Sequence, residues 1–179
     1  MPLPILETER LRLRQLGLID AEAMFNYASN DDVTKYMPWD SHTSLRQTKK
    51  FLKIMTGKYL NGNFAWAVTW KESKEFIGTI DFGKFDKNAR IAEMSYALSH
   101  AHWRKGVMSE AAQALIDYGF NELNLERIYA RCFAENIASE RVMQKVGMTY
   151  EGTLRKGIFA KGAHHDLKIY AILREDIEG

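Results

Sequence analysis

Between Trp103 and Glu110 the chain reads Trp-Arg-Lys-Gly-Val-Met-Ser-Glu, closing a loop and opening a helix. The first backbone N–H groups of a helix have no acceptor within it, and the helix dipole adds positive potential there, so such a turn can cradle an anion. Gly106 lets phosphate oxygens approach the backbone closely, and Arg104 and Lys105 bring charge to the rim. A pyrophosphate fits this arrangement. The spacing alone equally allows a basic loop closed by a glycine. The nucleoside-triphosphate loop ending in Gly-Lys-Ser/Thr and the three spaced glycines of the dinucleotide fold are both missing. His42, His100, His102, His164 and His165 have no metal-ligand spacing with Cys or carboxylates, so no metal is expected, and His100 and His102 read as surface residues. Cys132 is the sole cysteine. It excludes an intrachain disulfide and reads as a packing residue; a covalent intermediate on it would need a nearby base that the sequence does not offer.

Regular elements must hold this loop. Arg10-Leu11-Arg12-Leu13-Arg14 alternates as a strand with one apolar and one cationic face. Asp20 can cap a helix carrying Ala21, Met24, Phe25 and Tyr27, which Asn30-Asp31-Asp32 breaks. Ser44 can cap a second helix carrying Leu45, Phe51, Leu52, Met55 and Tyr59, with Asn61-Gly62 as its stop. Three strands follow, Phe64 to Trp70, Phe76 to Phe85 and Ile91 to Leu98, joined at Lys71-Glu72-Ser73-Lys74 and Asp86-Lys87-Asn88. A helix from about Val107 to Leu123 then precedes a strand from Arg127 to Cys132. Asn136 can cap a helix running to Val146, with Gly147 as its left-handed stop. Strands at Thr149 to Phe159 and Lys168 to Leu173 close the chain around Lys161-Gly162. The order predicts one mixed α/β domain over residues 1–179. The helix between the fourth and fifth strands is long enough for a parallel crossover, and the strands can part where it begins, leaving a crevice.

The bulk composition narrows the classes. The formal charge is +2 over 179 residues, with cations interspersed among acids, which gives no case for a nucleic-acid or membrane surface. No apolar run approaches the ~20 residues that span a bilayer, and the first residues lack a basic stretch followed by an apolar one. With its single cysteine, the chain is expected in the cytoplasm.

Several segments, in order, resemble the GNAT N-acetyltransferases, and most closely their ribosomal-protein N-terminal branch. Leu6 to Arg14 resembles the branch's first strand, Ile77-Gly78-Thr79-Ile80 its third, and Glu93-Met94-Ser95-Tyr96-Ala97-Leu98 its fourth. Trp103 to Glu110 is similar to its pyrophosphate loop, although Trp103 and Met108 depart from the superfamily's usual residues. Glu135-Asn136-Ile137-Ala138-Ser139 with Lys145-Val146-Gly147-Met148 resembles its fifth-strand-to-helix motif, and Gly162, Asp166 and Tyr170 its closing hairpin. The resemblance implies a mostly antiparallel seven-stranded sheet, splayed between strands four and five and flanked by helices. It implies acetyl-CoA as donor, direct attack by a primary amine in a ternary complex, and a homodimer.

It also implies roles for residues. Backbone groups around Ala97, Leu98 and Ser99 would pair with the pantetheine. Arg104, Lys105, Gly106, Val107, Met108 and Ser109 would hold the pyrophosphate, and Asn136 would cap the helix and touch the cofactor. Glu93 would be the general base, against the alternative of a strand glutamate paired with an arginine. Many relatives carry a tyrosine acid seven residues after the asparagine. Here that residue is Met143, which cannot donate a proton, and the branch's serine, Ser139, would hydrogen-bond the leaving sulfur or merely complete the helix's first turn. Tyr36, Met37 and Trp39 lie where relatives line the acceptor pocket, and packing explains them equally well. The expected acceptor is a protein N-terminal α-amine. The rivals are a small amine (polyamine, amino acid or aminoglycoside) and a non-catalytic acetyl-CoA-binding module. A polycation would require converging carboxylates, and Asp31, Asp32 and Asp40 are too scattered in sequence to decide.

Overall fold

The computed structural model describes residues 3–57 and 64–178. The strands are β1 Leu6–Glu7, β2 Leu11–Gln15, β3 Phe64–Trp70, β4 Phe76–Asp86, β5 Ile91–Leu98, β6 Arg127–Phe133, β7 Thr149–Ala160 and β8 Ala163–Leu173. The helices are α1 Ala21–Ala28, α2 Asp31–Thr34, α3 Leu45–Gly57, α4 Val107–Asn121, α5 Ile137–Lys145 and α6 Arg174–Glu178. The strands form one sheet in the order β1-β2-β3-β4-β5-β6-β8-β7. All neighbours are antiparallel except β5 and β6, which the α4 crossover makes parallel.

Alternation along the strands divides the core between two faces. Trp66, Phe82, Met94 and Ile128 meet Ala111, Leu115 and Ile116 of α4 on one face. Ala65, Ala67 and Ala97 meet Met24 of α1 and Leu52 of α3 on the other. Leu11 and Leu13 are fully buried, as the alternation of β2 requires. Lys161 (φ 52°) and Gly162 (φ 75°) are both left-handed, which is the turn that suits a two-residue hairpin, and they bring Ala160 opposite Ala163.

Three expectations change. The sheet has eight strands, not seven. The added β1 pairs only Leu6 with Leu13 and Glu7 with Arg12, too few residues to show a period. The last strand begins at Ala163 rather than Lys168, because the hairpin stays paired to its tip. Asp20 precedes α1 but its side chain does not cap that helix. Its buried carboxylate instead takes two bonds from Arg14, at 2.6 and 3.0 Å, and one from the Gly17 N–H at 3.0 Å. A charge so buried must be paired, and the cationic face of β2 supplies the partner. The stop expected at Asn61-Gly62, and Tyr59 before it, lie outside the described residues.

α4 packs close to the sheet at Gly119. A Cβ there would stand 2.8 Å from Ile128 Cδ1 and 3.0 Å from both Leu125 Cδ1 and Phe82 Cζ. Three apolar groups would have to shift at once, so Gly119→Ala is expected to lower stability by about 1–3 kcal/mol despite alanine's better helix propensity. Urea unfolding checks this; a wild-type midpoint would mean that the core yields freely there.

Candidate active site

The loop before α4 has the geometry expected of an anion cradle. Arg104 (φ 60°) and Gly106 (φ 73°) are both left-handed, and Gly106 is the N-cap of α4. The first intrahelical bond runs from the Glu110 N–H to the Gly106 carbonyl at 3.1 Å, so the N–H groups before Glu110 are free of helical acceptors. Two further cations flank the turn. A Cβ on Gly106 would lie 3.6 Å from Lys145 Nζ and 3.7 Å from Arg10. Arg10 is fixed there by Glu110 (2.7 Å) and by the Lys105 carbonyl (3.1 Å). Glu110 also accepts from the Thr8 hydroxyl and the Arg10 N–H; although burial opposes it, these bonds and the Arg10 charge hold its carboxyl below the usual range.

From this cradle a cleft of about 620 Å³ runs between β5 and β6. The two strands pair only at Ile91–Arg127, Ala92–Ile128 and Glu93–Tyr129, then part. Beyond that point β5 remains bonded to β4, and β6 to β8. The Ser99 N–H bonds to the Ile77 carbonyl at 2.8 Å. Antiparallel pairs alternate, so Ala97 and Ser95 also turn their backbone groups to β4, while Tyr96 and Leu98 turn theirs to the gap. The Leu98 carbonyl already accepts from Trp103 Nε1 at 2.9 Å. This corrects the expected edge: Ala97 lines the cleft but its polar backbone belongs to the β4 ladder, and Ser99 does not line it. Arg104, Gly106, Val107, Met108 and Ser109 do line it, with Lys105 in the adjoining cationic hollow beside Arg10 and Lys145.

Across the gap stands the first turn of α5. Asn136 caps the helix by accepting from the Ser139 N–H at 3.1 Å, and Asn136 and Ser139 both line the cleft. Ser139 Oγ lies 2.9 Å from the hydroxyl of Tyr96, which is also 3.1 Å from the Ser139 carbonyl. Burial raises the Tyr96 phenol well above its ordinary value, against the smaller pull of that bond, so it stays protonated. Cys132 is buried nearby, and burial, reinforced by the charge of Glu140, pushes its thiol up to about 11. A thiol so poised is neutral near pH 7 and a poor nucleophile. Glu140 ties α5 to β8, accepting from Lys168 at 2.8 Å and from the Tyr170 hydroxyl at 2.6 Å.

Glu93 sits at the last parallel pair, just where the strands part. Arg131 Nε donates to it at 2.7 Å and the Tyr129 hydroxyl at 3.2 Å, and Lys84 Nζ lies 3.3 Å away. It shares a sheet face with Ser95 and Ala97, but it does not line the cleft. Tyr36 and Met37 line the cleft. Trp39 does not; it packs on His42 and Phe51 with ring centroids at 5.2 and 5.6 Å. His102 is no plain surface residue: it packs on Trp70, contacts Glu75 and borders the cleft. Sequence reasoning missed Arg10, Lys145 and Tyr96. Each lies far along the chain from the group it serves, and no local spacing marks it. No group of three His, Cys, Asp or Glu among the described residues is placed to hold a metal ion.

Comparison with known proteins gives this cleft its context. A family model described as an acetyltransferase (GNAT) domain matches residues 10–149. YoaA, an uncharacterized N-acetyltransferase of Bacillus subtilis, is 38% identical over 172 residues, covering 96% of this chain and 97% of its own. The crystal structure of a GNAT-family acetyltransferase from Bacillus anthracis is 35% identical with a TM-score of 0.87, over 96% of this chain and 99% of that one. The ribosomal-protein-serine acetyltransferase of Escherichia coli is 33% identical over 97 residues, 54% of each chain. This chain is a member of the GNAT family of acetyltransferases and therefore an acyltransferase.

Proposed function

We propose that the enzyme transfers the acetyl group of acetyl-CoA to a protein N-terminal α-amine by direct attack in a ternary complex. The observation that carries the donor assignment is the continuity of the cleft from the Gly106 cradle, along the open edge of β5, to Ser139. The cradle would hold the pyrophosphate, and the free backbone groups of Tyr96 and Leu98 would orient the pantetheine like an added strand. Ser139 would donate a hydrogen bond to the sulfur as the C–S bond breaks. The raised Cys132 thiol supports direct attack over an acetyl-cysteine intermediate. Glu93, hydrogen-bonded by Arg131, would accept the amine proton through water, since it stands back from the cleft wall.

The α-amine reading is supported by two considerations. One is the similarity to the ribosomal-protein-serine acetyltransferase. The other is ionisation: a model α-amine has a pKa near ~7.8 and a lysine near ~10.4, so far more of the α-amine is neutral at working pH. A base held off by a water and an arginine suits the easier amine. A polyamine would require converging carboxylates, and among the described residues lining the cleft Asp32 is the one acid, against Arg104, Arg141 and Lys145. The homodimer also belongs to this proposal.

Three measurements follow from this reading. Gly106→Asp adds bulk and a negative charge to a left-handed position beside the cradle, and is expected to weaken coenzyme A binding at least tenfold by calorimetry; unchanged affinity in a folded variant would move the phosphates elsewhere. Glu93→Gln is expected to lower kcat at neutral pH by up to ~10²-fold, with acetyl-CoA affinity kept and activity recovering as pH rises and amines deprotonate unaided. A wild-type rate and pH profile would remove Glu93 from the mechanism. Peptides with a free N-terminus and no lysine are expected to be acetylated in preference to blocked peptides bearing one lysine; the reverse preference, or activity on polyamines alone, would overturn the acceptor assignment.

A further inference from the structure

We propose that Tyr96 is a positioning residue for the leaving group, holding Ser139 so that the serine proton points at the departing sulfur. The inference rests on the role given to Ser139 above and adds to it a residue from the opposite wall of the cleft.

Ser139 has one hydroxyl proton and several places to direct it. A serine in a helix's first turn can turn its hydroxyl back to the helix backbone, where it would do nothing for a ligand. The Tyr96 hydroxyl lies 2.9 Å from Ser139 Oγ and 3.1 Å from the Ser139 carbonyl. That carbonyl lies within α5, where the helix ladder already supplies a donor. When the phenol donates to Oγ, the serine's own proton is left for the cleft; the neutral Cys132 thiol, which also bonds Ser139, is a far weaker acceptor than a thiolate there. The phenol is held by burial between the end of β5 and α5, and both residues line the same cavity. Its burial also fixes its protonation: Tyr96 remains a donor throughout the working pH range.

The chain of donors involves no net transfer of the tyrosine proton. As the amine nitrogen forms its bond to the acetyl carbon, the C–S bond breaks and its electron pair goes to sulfur. The thiolate accepts a hydrogen bond from Ser139, which accepts one from Tyr96. Each bond polarises the next, so the pair stabilises developing negative charge better than the serine alone. The proton released by the amine passes to Glu93 through water, and solvent protonates the free thiolate. Met143, fully buried in α5, cannot serve in this way, so the second hydroxyl comes from the sheet instead of the helix.

A double-mutant cycle on the full chain tests this: Tyr96→Phe, Ser139→Ala and both together, assayed with acetyl-CoA and the best acceptor peptide, with coenzyme A affinity measured separately. Tyr96→Phe keeps the ring and loses only the hydroxyl. It is expected to lower kcat about tenfold while the KM for acetyl-CoA and the coenzyme A affinity stay within about twofold, the size of effect one polar hydrogen bond supports. The double variant is expected to be no slower than Ser139→Ala alone, because the tyrosine acts through the serine. If Ser139→Ala is slow but Tyr96→Phe runs at the wild-type rate, the serine's role stands and this inference fails. It also fails if the two losses multiply in the double variant, or if affinity falls in step with rate. If Ser139→Ala itself turns over like wild type, the underlying reading of the serine fails first.

Discussion

Everything about the site depends on a break in one ladder. β5 and β6 share three residue pairs and then separate, although both continue as strands bonded to their other neighbours. A buried strand edge with unpaired N–H and C=O groups is costly unless something bonds to it. Here the alternation of the β4–β5 ladder dictates which groups are open: those of Tyr96 and Leu98, with Trp103 already occupying one carbonyl. The same break brings α4 and α5 to the gap by their N-termini, since α4 links the parting strands and α5 follows β6 directly. Two positive helix ends and one open strand edge therefore converge without any catalytic side chain being involved.

Side chains then differentiate the two ends. At the α4 end, Arg10, Lys105 and Lys145 gather around Gly106, and Glu110 locks Arg10 in place. That end gathers the positive charge that a polyanion would require. At the α5 end the groups are neutral hydroxyls and a protonated thiol, and Glu93 is set back among Arg131, Lys84 and Tyr129. A thioester held between them would have its phosphates anchored in positive potential and its reacting atoms among hydrogen-bond donors, which is the order that acyl transfer requires. Asn136 serves both structure and site: capping α5 through the Ser139 N–H also fixes where that serine stands.

What the sequence makes legible here is local. Gly106, Asn136, Gly147 and the Lys161-Gly162 turn each declare themselves through backbone demands that few residues meet, and all four stand where expected. The parallel crossover was legible too, because only a long helix between two strands allows it. What sequence could not reveal is which distant residues meet. Glu93 finds Arg131 across 38 positions and Tyr96 finds Ser139 across 43, and periodicity reports only the face on which each lies. The same limit explains Asp20, whose cap signature gave way to Arg14, and Ser99, expected among the backbone groups open to a ligand but bonded through its N–H to Ile77. The GNAT resemblance supplied the function class; the register supplied the corrections.

The most direct test of this account is a crystal structure of the protein with coenzyme A. The expected result has the pantetheine lying in the gap between β5 and β6, bonded to backbone groups of Tyr96 and Leu98, with the pyrophosphate at the Gly106 turn and the thiol within hydrogen-bonding reach of Ser139 Oγ. A cofactor bound outside that gap, or one whose thiol lies away from Ser139, would contradict the claim that the parted strands are the donor site.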